Sequence, residues 1–148
     1  MPFNKGKTDV VGQLQDGMDL ADTHASVVPA AVAGTDYEVP VYVAPSGGSG
    51  TTLSRASLFA AVAVSATAAT TAVTLKFRQY RAGSLVGDIT GASSYATSAT
   101  LAARTEKNLF SGALALSPGD LITLQTTHTG DGAALPILAA VVEASPSV

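Results

Sequence analysis

Thr71-Ala72-Val73-Thr74-Leu75-Lys76-Phe77-Arg78-Gln79-Tyr80-Arg81 is the stretch on which the fold class turns. Val73, Leu75 and Phe77 alternate with Thr74, Lys76, Arg78 and Tyr80. Successive side chains of a strand point to opposite faces. A period of two therefore sends the first set into a core and the second toward solvent.

Strand signals continue on both sides of this segment. Upstream, Ser57 to Ala66 is apolar and β-branched, with Leu58, Ala60, Val62 and Val64 on one side. Its alanines also suit a helix, but the valines and threonines around them favour a strand. Downstream, Ala82-Gly83-Ser84 reads as a turn, Leu85 to Thr90 as a short strand and Gly91 to Ser94 as a second turn. Tyr95 to Glu106 alternates Thr97, Ala99, Leu101 and Ala103 with Ser98, Thr100, Ala102 and Arg104, and Leu109 to Leu116 follows it. Ser117-Pro118-Gly119-Asp120 has turn chemistry, since proline presets φ and glycine accepts a positive φ. Leu121 to Thr127 then sets Ile122, Leu124 and Thr126 against Leu121, Thr123 and Gln125. After Gly130-Asp131-Gly132 comes a last strand, Leu135 to Val142. Short strands separated by turns about every ten residues make a sandwich or a barrel, with about seven strands in this part of the chain.

The N-terminal third reads differently. Up to about residue 35 no period is sustained, and Gly12 and Gly17 weaken the short helix that Val10, Val11, Leu14, Met18 and Leu20 would line. An extended arm is expected over 1–35, with the apolar run Val27, Val28, Pro29 to Val32 available to dock on a partner. Over 36–43, Tyr37, Val39, Val41 and Val43 alternate with Glu38, Pro40 and Tyr42. Pro40 cannot donate to a ladder, which makes this an edge strand. Residues 44–52, with Gly47, Gly48, Ser49 and Gly50, read as a flexible linker, and 53–148 as the sandwich domain.

Composition narrows the function. Charged residues are 13% of the 148, the net charge is -3, aromatics are 5% and tryptophan is absent. A nucleic-acid binder needs a basic surface to displace counterions from phosphates, and so few charges with a net negative balance argue against one. The arm is acidic, with Lys5 and Lys7 against Asp9, Asp16, Asp19, Asp22, Asp36 and Glu38. Small apolar side chains each bury little area, so a lone domain of this kind gains by packing against sibling subunits. With no cysteine, neither a disulfide framework nor a thiolate site can form. The start of the sequence lacks the apolar core of a secretory signal. Leu58 to Val73 is too polar to span a bilayer. The expectation is a protein made and kept in the cytosol, or released by lysis or within an assembled particle, with no membrane partner.

No catalytic, cofactor-binding or metal site emerges. His128, near Asp131, reads as an exposed loop histidine, and His24 falls in the arm. Asp16, Asp19 and Asp22 recur every third residue, but a calcium loop alternates its ligands and needs a glycine and a glutamate at fixed places. Lys76, Arg78, Tyr80 and Arg81 form a basic, partly aromatic strip. It is either a plain solvent face or a contact for an acidic neighbour. The contact candidates are thus Lys76, Arg78, Tyr80, Val27 and Val28. A sugar-binding sandwich would stack aromatic rings on its ligand, and only Tyr37, Tyr42, Tyr80 and Tyr95 are on offer.

The acidic arm, the Gly/Ser hinge and the Ala/Thr/Ser-rich β domain without cysteine resemble the head decoration (cement) and head-fibre proteins of tailed bacteriophages. The hairpin Leu114-Ala115-Leu116-Ser117-Pro118-Gly119-Asp120-Leu121-Ile122-Thr123-Leu124 is similar to the turn-and-strand signature of trimeric jelly-roll heads in viral fibres. The resemblance implies an all-β, antiparallel, jelly-roll-like sandwich with an extended N-terminal arm. It also implies a homotrimer seated on the major capsid protein or other virion subunits, stabilising the shell without chemistry. A tail or fibre component and a carbohydrate-binding module are the alternatives.

Overall fold

The computed structural model describes residues 22–30, 32, 34–64, 73–89, 94–96, 101–128 and 134–147. Among these no residue is helical, and nine strands form. They are β1 (Asp22–Val28), β2 (Tyr37–Val43), β3 (Thr51–Ala60), β4 (Val73–Arg81), β5 (Ser84–Asp88), β6 (Ser94–Ala96), β7 (Glu106–Leu116), β8 (Leu121–His128) and β9 (Leu138–Pro146).

Two antiparallel sheets result. One runs β1-β9-β3-β7; the other runs β2-β8-β4-β5, with β6 added beside β4. The pairs β1 with β9, β2 with β8, β3 with β7 and β4 with β5 are those of one long hairpin, and they fall alternately in the two sheets. A hairpin rolled up in this way is a jelly roll, with β6 as an extra strand. The sandwich expected from the alternation is therefore present, and its wrapping is the jelly-roll one.

Alternation builds the core. In β4 the residues from Val73 to Gln79 are buried and half-buried by turns, with Val73, Leu75 and Phe77 fully inside. Leu138, Ala140, Val142 and Ala144 do the same in β9. Ile122 and Leu124 of β8 and Leu53, Ala56, Leu58 and Ala60 of β3 complete the layer between the sheets.

Several expectations are corrected. Asp22–Val28 is not arm but an edge strand of the body, in register with β9 from Asp22 opposite Ala144 to Val28 opposite Leu138. Its signal was faint because only Val28 brings a large apolar side chain to the core. Ser26 instead donates its hydroxyl to the carbonyl of Val41 (2.8 Å), tying β1 to β2. Residues 1–21, the rest of the expected arm, lie outside the described residues.

The 44–52 linker is the crossover between two strands of one sandwich, not a hinge between domains. Ala44 and Gly119 are hydrogen-bonded through their backbones, and Ser147 N–H donates to the Gly50 carbonyl (3.0 Å). At Gly50 a Cβ would lie 2.8 Å from the Leu116 carbonyl oxygen, and φ is +111°, so glycine is required there. Thr51 and Thr52 already belong to β3.

β2 is an edge strand with Pro40 in it, as expected, but a register shift between Pro40 and Tyr42 reverses its parity. Tyr42 is buried and Val43 turns outward. β3 ends at Ala60, so Val62 is 56% exposed rather than in the core. Of the strand expected over Tyr95 to Glu106, Tyr95 and Ala96 lie in β6, Leu101 and Ala103 make isolated bridges and Glu106 opens β7, while 97–100 lie outside the described residues.

Candidate functional site

The two sheets turn outer faces of different chemistry to the surroundings. On the β2-β8-β4-β5 face, the outward side chains of β4 meet carboxylates from its neighbours. Lys76 Nζ lies 3.1 Å from Asp88. Arg78 lies 3.2 Å from Asp88 and 3.8 Å from Glu38. Tyr80 donates its phenolic hydrogen to the Glu38 carboxylate, 2.9 Å from each oxygen, and Thr123 Oγ1 donates to Glu38 Oε1 at 2.6 Å. The Arg78 guanidinium carbon is 5.7 Å from the centre of the Tyr80 ring. Hydrogen bonding to Glu38, with some burial, raises the Tyr80 pKa above its ordinary value. The basic strip seen in the sequence thus finds its counter-charges in its own sheet.

One end of this face is locked by a buried carboxylate. Asp120 is fully covered and accepts from Arg81 Nε (2.9 Å) and Nη2 (2.8 Å), from Gln79 Nε2 (2.7 Å) and from the Ser117 backbone N–H (2.9 Å). The Arg81 bonds are the main reason that its pKa is pushed down to about 2, against the opposing effect of burial. Asp120 closes the Ser117–Asp120 turn onto β4.

The histidines have structural places. His128 ends β8 rather than lying in a loop; its side chain is 2% exposed, and Nδ1 sits 3.0 Å from Asp36. That corrects the exposed-loop reading. Asp131, its sequence neighbour, lies outside the described residues, as do Asp16 and Asp19. His24, on β1, packs its ring 4.9 Å from that of Tyr42. No cluster of His, Cys, Asp and Glu suited to a metal occurs among the described residues.

The β1-β9-β3-β7 face grades from ionic to apolar. In one cross-strand row Thr23, Glu143, Arg55 and Ser111 lie side by side. Arg55 pairs with Glu106 and lies 3.7 Å from Glu143. Ser57, itself covered, donates to Glu106 at 2.6 Å. That bond, helped by Arg55, lowers the Glu106 pKa. Two rows further on, the residues are Val27, Ala139 and Phe59. They line a shallow, mostly apolar groove with Ala61, Ile137 and Arg104. Val27 is 76% exposed and Ile137 53%, and Val62 and Val32 at the same end are also exposed.

The structure separates the five contact candidates of the sequence. Lys76, Arg78 and Tyr80 share the ionic face. Val28 is fully buried in the chain's own core, which corrects its reading as a docking residue; Val27, next to it, points outward. Ile137, Phe59 and Val62 of the apolar end were missed. Val62 was placed on the inner side of its strand with Leu58, Ala60 and Val64, Phe59 on the other side was not singled out, and Ile137 sat inside an expected final strand that begins one residue later.

No family model matches the chain, and no curated protein matches it. Among solved structures it is similar to a chain from infectious bursal disease virus, Gx strain, at 14% identity and a TM-score of 0.39. The match covers 84% of this chain and 33% of that one, so this chain spans about a third of its length. The overlap is too loose to transfer an architecture; the jelly roll stands on its own ladders.

Proposed function

We propose that this chain is a non-enzymatic structural subunit of a virion. In this reading it is a decoration (cement) protein that sits on the outer capsid surface as a homo-oligomer, a trimer in the family it resembles, and contacts the major capsid protein. Its work is contact: it stabilises the shell by buried area, with no cofactor, nucleic acid or membrane involved.

The observation that carries the reading is the apolar end of the β1-β9-β3-β7 face. Exposed apolar side chains that cluster at one end of a sheet mark a contact surface more often than scattered ones do. Covering Val27, Ile137 and Val62 would contribute roughly 1–2 kcal/mol each. The low charge of the chain also suits a surface held against neighbours.

Gold-labelled antibody against the chain, applied to particles from its source, tests the location. Label over the head supports decoration, and label confined to the tail supports a fibre component. Particles free of label would refute a virion role.

A further inference from the structure

We propose that the corner of the β2-β8-β4-β5 face beside Tyr80 is a binding site for neutral saccharides. A surface groove of ≈ 470 Å³ opens there, between Tyr80, Pro40 and Leu121 on its apolar sides and Glu38 and Thr123 on its polar side. Its far rim is made by the β4–β5 and β7–β8 turns, at Ala82, Gly83 and Gly119.

Three features point to this ligand class. First, the lining is amphipathic. An aromatic ring beside a proline ring and a leucine suits the C–H face of a sugar, and a carboxylate next to them accepts from ring hydroxyls. Glu38 Oε1 accepts from Thr123 and shares the Tyr80 hydrogen, while Oε2 is engaged only by that same Tyr80 hydrogen. A carboxylate has about four lone-pair sites, so Oε2 keeps capacity for a ligand hydroxyl.

Second, the charge balance disfavours ions. Glu38 repels an anion, and Arg78 at 3.8 Å already offsets the field that a cation would seek. Arg78 stands outside the groove's lining, toward the ring of Tyr80.

Third, the rim is low. Ala82 and Gly83 are the two central residues of the hairpin turn between Arg81 and Ser84. Their φ values of +48° and +81° are those the strand twist requires of such a turn. Alanine followed by glycine there puts almost no side chain over the opening.

The groove lies at the opposite end and on the opposite face from the apolar patch, so assembly through that patch leaves it open. The inference therefore does not rest on the proposed virion role.

Saturation-transfer NMR and calorimetry on the full chain test it, with glucose, galactose, mannose and N-acetylglucosamine and their β-linked disaccharides as probes. At least one is expected to bind with a Kd in the millimolar range or tighter. Tyr80→Ala should weaken it tenfold or more, and Glu38→Gln severalfold. Ala82→Arg leaves Tyr80 and Glu38 in place and should block the groove to the same extent as Tyr80→Ala. It keeps the test decisive if Tyr80→Ala fails to fold. Val27→Asp should leave sugar binding unchanged. No binding by any probe at 10-fold millimolar excess would overturn the proposal, as would binding that survives both Tyr80→Ala and Ala82→Arg.

Discussion

The two outer faces of this sandwich are built from the same strand alternation, yet one pairs its charges across its own strands and the other grades into an open apolar end. On the β2-β8-β4-β5 face, Lys76, Arg78 and Tyr80 each meet Glu38 or Asp88, and Arg81 meets Asp120. On the β1-β9-β3-β7 face the ionic half is likewise closed, by Arg55 between Glu106 and Glu143. Its other half offers Val27, Phe59, Ala139 and Ile137, which line an open groove, with Val27 and Ile137 more than half exposed. A salt link is satisfied by one neighbour and by water. An apolar side chain gains only by leaving water, so the open half is where a second subunit has most to add.

The contrast can be broken first, and hardest, at the apolar end. Val27→Asp combined with Ile137→Asp should weaken assembly roughly 30-fold or more, the scale of an interface hot spot of about 2 kcal/mol. The dissociated chain should keep its melting temperature, because both side chains already face solvent. Analytical ultracentrifugation and differential scanning calorimetry read the two effects separately.

The buried lock of the other face gives the next effect. Asp120→Ala strands the donors of Gln79 and the Ser117 backbone and should cost about 2 kcal/mol in urea unfolding. Asp120 has a folded pKa of about 2, below its unfolded value. Its contribution is therefore present above the unfolded pKa and lost as pH falls through about 4 toward 2. Asp120→Asn should flatten that part of the stability–pH curve and leave the neutral-to-alkaline part in shape.

Glu38→Gln should act more gently. It weakens the acceptor shared by Tyr80 and Thr123, and the Tyr80 phenol should then titrate closer to its ordinary pKa in an alkaline ultraviolet titration. Smallest of all is Lys76→Ala, which removes an exposed pair with Asp88 and should change stability by at most about 0.5 kcal/mol. If Lys76→Ala impaired assembly as much as the Val27 and Ile137 changes, the division of labour between the faces would be wrong.

The sequence made the central strands legible because their alternation and their burial coincide. Val73 to Tyr80 bury the residues their period of two predicts, and Leu121 to Thr126 do so too except that Thr123, of the outer set, is also covered, beneath its bond to Glu38. It failed where another influence overrode the pattern. In β1 the ladder to β9 holds Asp-Thr-His-Ala-Ser-Val-Val in a strand that its own residues barely announce, a case of tertiary context outweighing propensity. In β2 one bulge left Val41 inside as expected but turned Tyr42 in and Val43 out. The glycine-rich crossover looked like a linker because composition does not reveal that Gly50 lies against Leu116.

The candidate surfaces were legible only in part. Lys76, Arg78 and Tyr80 were singled out as a strip, but their carboxylate partners come from 38 and 88, on other strands, and pairing across strands is not written in local spacing. Of the apolar end only Val27 was singled out, for the same reason. Val27, Phe59 and Ile137 are far apart in the chain and become neighbours only through the β1-β9-β3 register.

Light scattering on the full chain, eluted from a sizing column at micromolar concentration beside the Val27→Asp, Ile137→Asp variant, puts the idea of an assembling apolar face to its most direct trial. The account predicts a discrete oligomer for the natural chain and a folded monomer for the variant. A natural chain that elutes as a monomer, or a variant that assembles as well as its parent, would contradict it.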